Sequence, residues 1–206
     1  MKILRTILIF ILSVSLSSCI IVKNEEENEQ SSPILKFSPT PEMKMSDEMV
    51  RSDEGDMVAF LPAGWLLVNL EDDAPADVIG AAVDKGYTMS IVFSRIRKTD
   101  KRDKIISREG VLGLARIALE KRAKKTAGSV ALAGEYSEIE MGPRKFAKYE
   151  FANADKSMRG VSAVFVSTLN NYYELSVIPM NLTGIVPVSQ SDLNRVFSSV
   201  LTTVQY

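Results

Sequence analysis

The sequence predicts an α+β fold, with a mainly antiparallel sheet of about six strands packed between helices. Three observations predict it. The segments run in the order two strands, one strand, helix, four strands, helix. Met89, Ile91 and Phe93 alternate with Thr88 and Ser90, the period of a strand with one buried face. Leu193, Val196, Phe197, Val200, Leu201 and Val204 recur at the spacing of one buried helix face.

Met57 to Leu61 reads as a short strand, Pro62-Ala63-Gly64 as a turn, and Trp65 to Leu70 as a second extended piece. Glu71 to Pro75 is loop, and Ala76 to Asp84 is open between a short helix and a strand. Lys85-Gly86 breaks it, and Tyr87 to Ile96 is a strand. Ser107 is expected to cap a helix, with Glu109 in a first turn where the helix dipole favours an acid. Val111, Leu114, Ala115, Ala118 and Leu119 form its apolar stripe, and Gly128 stops it. Ser129 to Glu140 and Arg144 to Ala152 flank a turn at Gly142-Pro143. Arg159 to Leu169 and Tyr172 to Pro179 flank Asn170-Asn171, read as a two-residue hairpin turn because asparagine tolerates positive φ. In that register Val164 faces Val177, Val166 faces Leu175 and Thr168 faces Tyr173, all on one core face. Ser189 caps the last helix, with Asp192 three residues on.

The chain begins differently. Lys2 and Arg5 precede an apolar run from Ile7 to Leu16, shorter than the ~20 residues that cross a bilayer. Small residues in Leu16-Ser17-Ser18 then lead to Cys19, the single cysteine. This resembles the lipobox of bacterial lipoproteins. The resemblance implies a signal peptide over 1–18, cleavage before Cys19, and a diacylglyceryl group with a further acyl chain such as palmitate on that residue. Two or more chains hold a protein on a bilayer persistently, where one binds only marginally. Ile20 is not the aspartate that retains enteric lipoproteins at the inner membrane, so the outer membrane is favoured if the organism has two. Residues 19–56 read as a lipid anchor and a disordered tether: Lys23 to Ser32 is acidic and nearly free of large apolar groups, and Pro33, Pro39 and Pro41 follow. Residues 57–206 form the folded domain, large enough for a normal core without disulfides.

Composition removes several chemistries. No histidine is present, which excludes Ser-His-Asp and Cys-His nucleophiles and the commonest transition-metal ligand. There is no GxGxxG or GxxxxGK[ST] loop, no GxSxG elbow and no Ser-x-x-Lys pair. No cofactor or metal is expected; an oxygen-ligand calcium or magnesium site stays open, with no EF-hand-like spacing of acids to support it. A carboxylate-only hydrolase needs just two acids. Asp72-Asp73 is the most visible acidic pair, better explained as a solvated loop.

Phe60-Leu61-Pro62-Ala63-Gly64-Trp65, the later Tyr172-Tyr173-Glu174-Leu175 and the Phe197 helix are together similar to the PsbP-like and Mog-like α/β/α sandwich group. That resemblance spans about 57–206 and implies an α/β/α sandwich with a non-catalytic, macromolecule-binding role. PsbP stabilises the oxygen-evolving side of photosystem II and the Mog family binds the Ran GTPase. No partner-binding residue of either matches this chain. Trp65, the lone tryptophan, is read as core.

Charge is polarised. Residues 95–125 are strongly basic, whereas the tether is acidic. Arg97, Lys98, Lys101, Arg102 and Lys104 cluster in an expected loop before the helix and, with the basic helix end at Lys121, Arg122, Lys124 and Lys125, form the candidate partner face, set against the plainer reading of a solvated surface. Anionic lipid, polyanionic glycan or an acidic envelope protein would suit it, with the tether as a weak competitor. No aromatics interleave with these residues, so nucleic acid is not expected. The leading expectation is a membrane-tethered envelope lipoprotein acting as a binding or accessory module. Its rivals are a carboxylate-based envelope hydrolase and a small-ligand-binding lipoprotein.

Overall fold

A computed structural model describes residues 34–36, 40–70, 74–182 and 187–206. Cys19, the signal peptide, the acidic stretch 23–32 and Asp72-Asp73 lie outside the described residues. Those described all belong to one unit, Ser32–Tyr206.

The strands are β1 (Ile34–Lys36), β2 (Met45–Arg51), β3 (Val58–Pro62), β4 (Leu66–Leu67), β5 (Val78–Val83), β6 (Met89–Ile96), β7 (Val130–Leu132), β8 (Ser137–Met141), β9 (Arg144–Asn153), β10 (Arg159–Val166) and β11 (Tyr172–Pro179). Helix α1 (Asp100–Lys125) follows β6, and α2 (Gln190–Thr203) follows β11. The main sheet runs β1-β8-β9-β10-β11-β6-β5-β4, with β7 on β9, and β2-β3 is a separate hairpin. Nine strands thus form the main sheet among the described residues, more than the six expected. The expected segment Ser129 to Glu140 divides into β7 and β8, while β1 and the two-residue β4 add edges. Every pairing is antiparallel except β1 with β8.

Both sheet faces are covered. On one, Phe93, Val161, Phe165, Tyr173 and Leu175 pack with Leu193, Val196, Phe197 and Val200 of α2 and with Leu61 and Trp65. On the other, Ile96, Tyr149, Phe151, Val164 and Tyr172 pack with Leu114, Ala115 and Ala118 of α1. Strands buried on both faces lose the simple in–out alternation of a half-solvated sheet. Trp65 is 7% exposed and Phe197 1%, as the core reading expected.

Three local expectations are corrected. The β10–β11 pairing is Val161↔Val177, Ala163↔Leu175 and Phe165↔Tyr173, shifted from the expected register. The cause is a three-residue loop: Ser167 N donates to Asn171 O, Asn170 N donates to Ser167 O, and Asn170 takes φ 60°. An odd shift moves side chains to the opposite face, so Val164 belongs with α1. Second, the folded part begins before residue 57. β2 pairs with β3, Val50 is buried, and Met43 and Met45 pack on the α2-side core. The adjacent acids Asp47 and Glu48 of β2 are exposed, which is why its composition reads as tether. Third, α1 starts at Asp100. Extended Thr99, not Ser107, is its N-cap and accepts from Arg102 N at 3.3 Å. Asp100 and Asp103 occupy the first turn, where the dipole favours them.

Candidate functional site

The basic cluster is carried by a helix that folds back on itself. Gly110 adopts φ 59°, ψ −149° inside α1, a conformation open essentially to glycine alone. The break lets Ile105 lie against Gly113: a Cβ built there would sit 3.1 Å from Ile105 Cγ2. The first half is pinned to the sheet by Tyr172, whose hydroxyl donates to Asp103 Oδ1 at 2.8 Å. Burial and that carboxylate push Tyr172 up to about 12.

The five candidate residues divide at the start of this helix. Arg97 and Lys98 lie in the link after β6, whereas Lys101, Arg102 and Lys104 stand on the first turns of α1, not in a loop. Lys98 Nζ sits 5.5 Å from the Tyr172 ring centre. Arg102 Nη1 donates to Arg97 O at 2.6 Å, tying the two segments together. Among the described residues none of the five has a carboxylate within 4.0 Å. Most other cations from 95 to 125 do. Arg95 pairs with Glu54, Arg108 and Arg116 with Glu109, Lys121 and Lys125 with Asp77, and Arg122 with Glu174.

The folded-back helix makes a groove of ≈ 400 Å³. Lys101 and Arg102 line it from the first half, Lys121, Lys124 and Lys125 from the second, over Ile105 and Ile117. Glu120 is its one acid; Arg97, Lys98 and Lys104 are not in its lining. The three distal lysines belong to the helix end expected to share the partner face, and the structure places them opposite Lys101 and Arg102. What the periodicity did not show is how the two parts meet, and the signal for that is Gly110 followed closely by Gly113.

Two buried carboxylates occupy opposite faces of the sheet. Asp56 accepts from Ser52, Ser167, Asn171 and Tyr173. Burial pushes its carboxyl up, but the four hydrogen bonds together outweigh it and hold the group below the usual range. Glu174, next to Tyr173 in sequence, points toward α1 and meets Arg122, Tyr149 and Ser176. Burial again opposes ionisation, and the Arg122 charge with the Tyr149 hydroxyl overrides it. The guanidinium lies 4.1 Å from the Phe151 ring centre. Being on opposite faces, Asp56 and Glu174 do not form the facing acid pair that glycoside hydrolysis uses.

An antiparallel sheet with a helix packed on each face is an α/β/α sandwich, and its likeness to a PsbP structure makes the fold PsbP-like. The chain is similar to the solution structure of cyanobacterial PsbP (CyanoP) from Synechocystis sp. PCC 6803, with 12% identity, a TM-score of 0.53, and coverage of 77% of this chain and 92% of that one. It is also aligned with a crystal structure from Bacteroides thetaiotaomicron at 10% identity and a TM-score of 0.36, over 77% of this chain and 47% of the other. No protein-family model matches the sequence, and no curated protein matches it significantly. At this identity the likeness to CyanoP shows the fold alone. Among the described residues, no helix is long and apolar enough to cross a membrane.

Proposed function

We propose that this chain is a cell-envelope lipoprotein, lipidated at Cys19, that displays its domain as a non-catalytic binding or accessory module for an anionic partner. The observation that carries the binding reading is the sorting of charge on α1. Cations elsewhere along it are mostly neutralised by carboxylates, whereas among the described residues Arg97, Lys98, Lys101, Arg102 and Lys104 are not; Lys101 and Arg102 share a groove with Lys124, also without an ion pair, and with Lys121 and Lys125, which Asp77 holds. Unneutralised charge gathered on one surface attracts an anion and speeds encounter, screened over ~8 Å at physiological salt. The lipobox-like sequence supports the anchoring part, and the acidic residues Glu25 to Glu29 supply a weak intramolecular competitor.

The test is charge reversal at Lys101, Arg102 and Lys104, with capture on vesicles of anionic or neutral lipid, on polyanionic glycan, and by crosslinking in the native envelope. Capture of at least one anionic class should fall and lose its salt dependence, and deletion of Glu25 to Glu29 should strengthen it. Unchanged capture and salt dependence after reversal would reduce the patch to a solvated face. Mass spectrometry of the native N-terminus tests the anchor separately: an unmodified Cys19, or a mature start elsewhere, sinks it.

A further inference from the structure

The C-terminal half of α1 lies over a second, smaller cleft of ≈ 200 Å³. Val92, Ser94 and Glu174 line it from the sheet, and Ala118, Arg122 and Thr126 from the helix. Its polar centre is an ion pair that uses one atom of each partner. Arg122 Nη2 donates to Glu174 Oε1 at 2.7 Å and to Ser176 Oγ at 2.7 Å. Tyr149 and Ser176 donate to that same Oε1. Glu174 Oε2 and Arg122 Nη1 take part in no hydrogen bond among the described residues, and Arg122 Nε is buried without a partner. The hydroxyl of Ser94, a buried residue, also has none among them. Buried polar groups are nearly always satisfied, so the buried Arg122 Nε, set beside a carboxylate oxygen that no donor among the described residues reaches, asks for a partner within the cleft.

We infer that this cleft binds a small neutral molecule presenting a hydrogen-bond donor beside an acceptor, as a carboxamide does. The amide N–H donates to Glu174 Oε2. The carbonyl oxygen accepts from the free side of the Arg122 guanidinium, with Ser94 as a further partner. A short aliphatic tail rests on Val92 and Ala118. A carboxylate ligand of the same shape has no proton for Oε2 and meets Glu174 as a like charge. An alkylammonium meets Arg122 in the same way. Lys121 and Lys125, which also line the cleft, are held by Asp77 and so do not convert it into an anion site. The cleft shares Lys121 and Lys125 with the basic groove but differs from it in having a charge-balanced pair at its centre.

The experiment is an NMR titration of the folded domain with isobutyramide, against its isostere isobutyrate. Isobutyramide should give saturable shifts at the Ser94 and Glu174 amides and at the Arg122 Nε–H, with a Kd of about millimolar, near the limit for so few atoms. Isobutyrate should bind about tenfold more weakly or worse. Val92→Phe, which fills the cleft from β6, should abolish the response without disturbing the groove. Ser94→Ala should weaken it several-fold, and it serves where Val92→Phe fails to fold. No saturable shift, isobutyrate binding as tightly as the amide, or full affinity in either variant that folds would each overturn the inference. A water held at Arg122 Nε with no amide response would overturn it too.

Discussion

Tyr173 donates its hydroxyl to Asp56 Oδ1 at 2.6 Å, across 117 positions of sequence. The contact closes a latch between the β2–β3 hairpin and the β10–β11 loop. Ser167 and Asn171 grip the other oxygen of Asp56, and Ser52 shares the first. Neighbouring Glu174 closes the second polar network on the far face of the sheet. One strand thereby fastens both covering layers.

Asp56→Ala should destabilise the domain by about 3 kcal/mol or more, since each buried donor left unmet costs about 1–3 kcal/mol. Denaturant midpoints measure this. The pH dependence has a definite sign. The folded carboxyl is held below its unfolded value of ~3.9, so its contribution is present above that pH and is lost as pH falls toward the folded value. Tyr173 behaves oppositely: burial and its bond to Asp56 push it up to about 12, so its contribution is present below ~10 and is lost as pH rises through about 12. Asp56→Asn should flatten the acid limb, and Tyr173→Phe the alkaline one.

Arg122→Ala strands Glu174 without its counter-charge and should cost about 3–5 kcal/mol. Arg122→Met with Glu174→Leu removes both charges, and should recover most of that loss because an apolar pair of similar volume avoids the desolvation of two ions. A double mutant as unstable as Arg122→Ala would show that the pair, with Tyr149 and Ser176 around it, contributes more than charge compensation.

Some element ends were legible and others were not: Thr99 caps α1 where Ser107 was expected. Ser189 does cap α2 and accepts from Asp192 N, because a capping signal is local. Gly142-Pro143 does join β8 to β9, with Met141 opposite Arg144. The β10–β11 register was misread because Asn170 signals positive φ without saying whether two or three residues turn. The basic face was half legible. Its residue types stood out, but Lys101 and Lys124 share a groove only because Gly110 reverses the helix, a tertiary event invisible to a reading based on periodicity. The Asp56 latch was not legible at all, since its donors come from Ser52 and from the stretch holding Ser167, Asn171 and Tyr173, far apart in the chain.

Trp65→Ala and Phe197→Ala should each lower stability by about 3–5 kcal/mol, the usual cost of truncating a buried aromatic. Both lie in the α2-side core, so the double mutant need not be additive. Thermal and denaturant midpoints of the domain from residue 32 onward check this. A midpoint near wild type for Trp65→Ala would place that ring outside the core.

Gly110→Ala links backbone conformation to the basic groove. A side chain at φ 59°, ψ −149° is strained by about 1–3 kcal/mol, and the chain can relieve this by opening the bend. An opened bend separates Lys101 and Arg102 from Lys121, Lys124 and Lys125. The variant should therefore lose stability and also bind the anionic partner more weakly, most sharply at low salt where the charges act together. Gly128→Ala is the control. It also has positive φ, 80°, but lies beyond the end of α1 and outside the groove lining. It should cost a similar amount of stability while leaving anionic-vesicle capture at the level of wild type. Equal loss of capture in both variants would mean that the reduced binding follows instability and not the geometry of the bend.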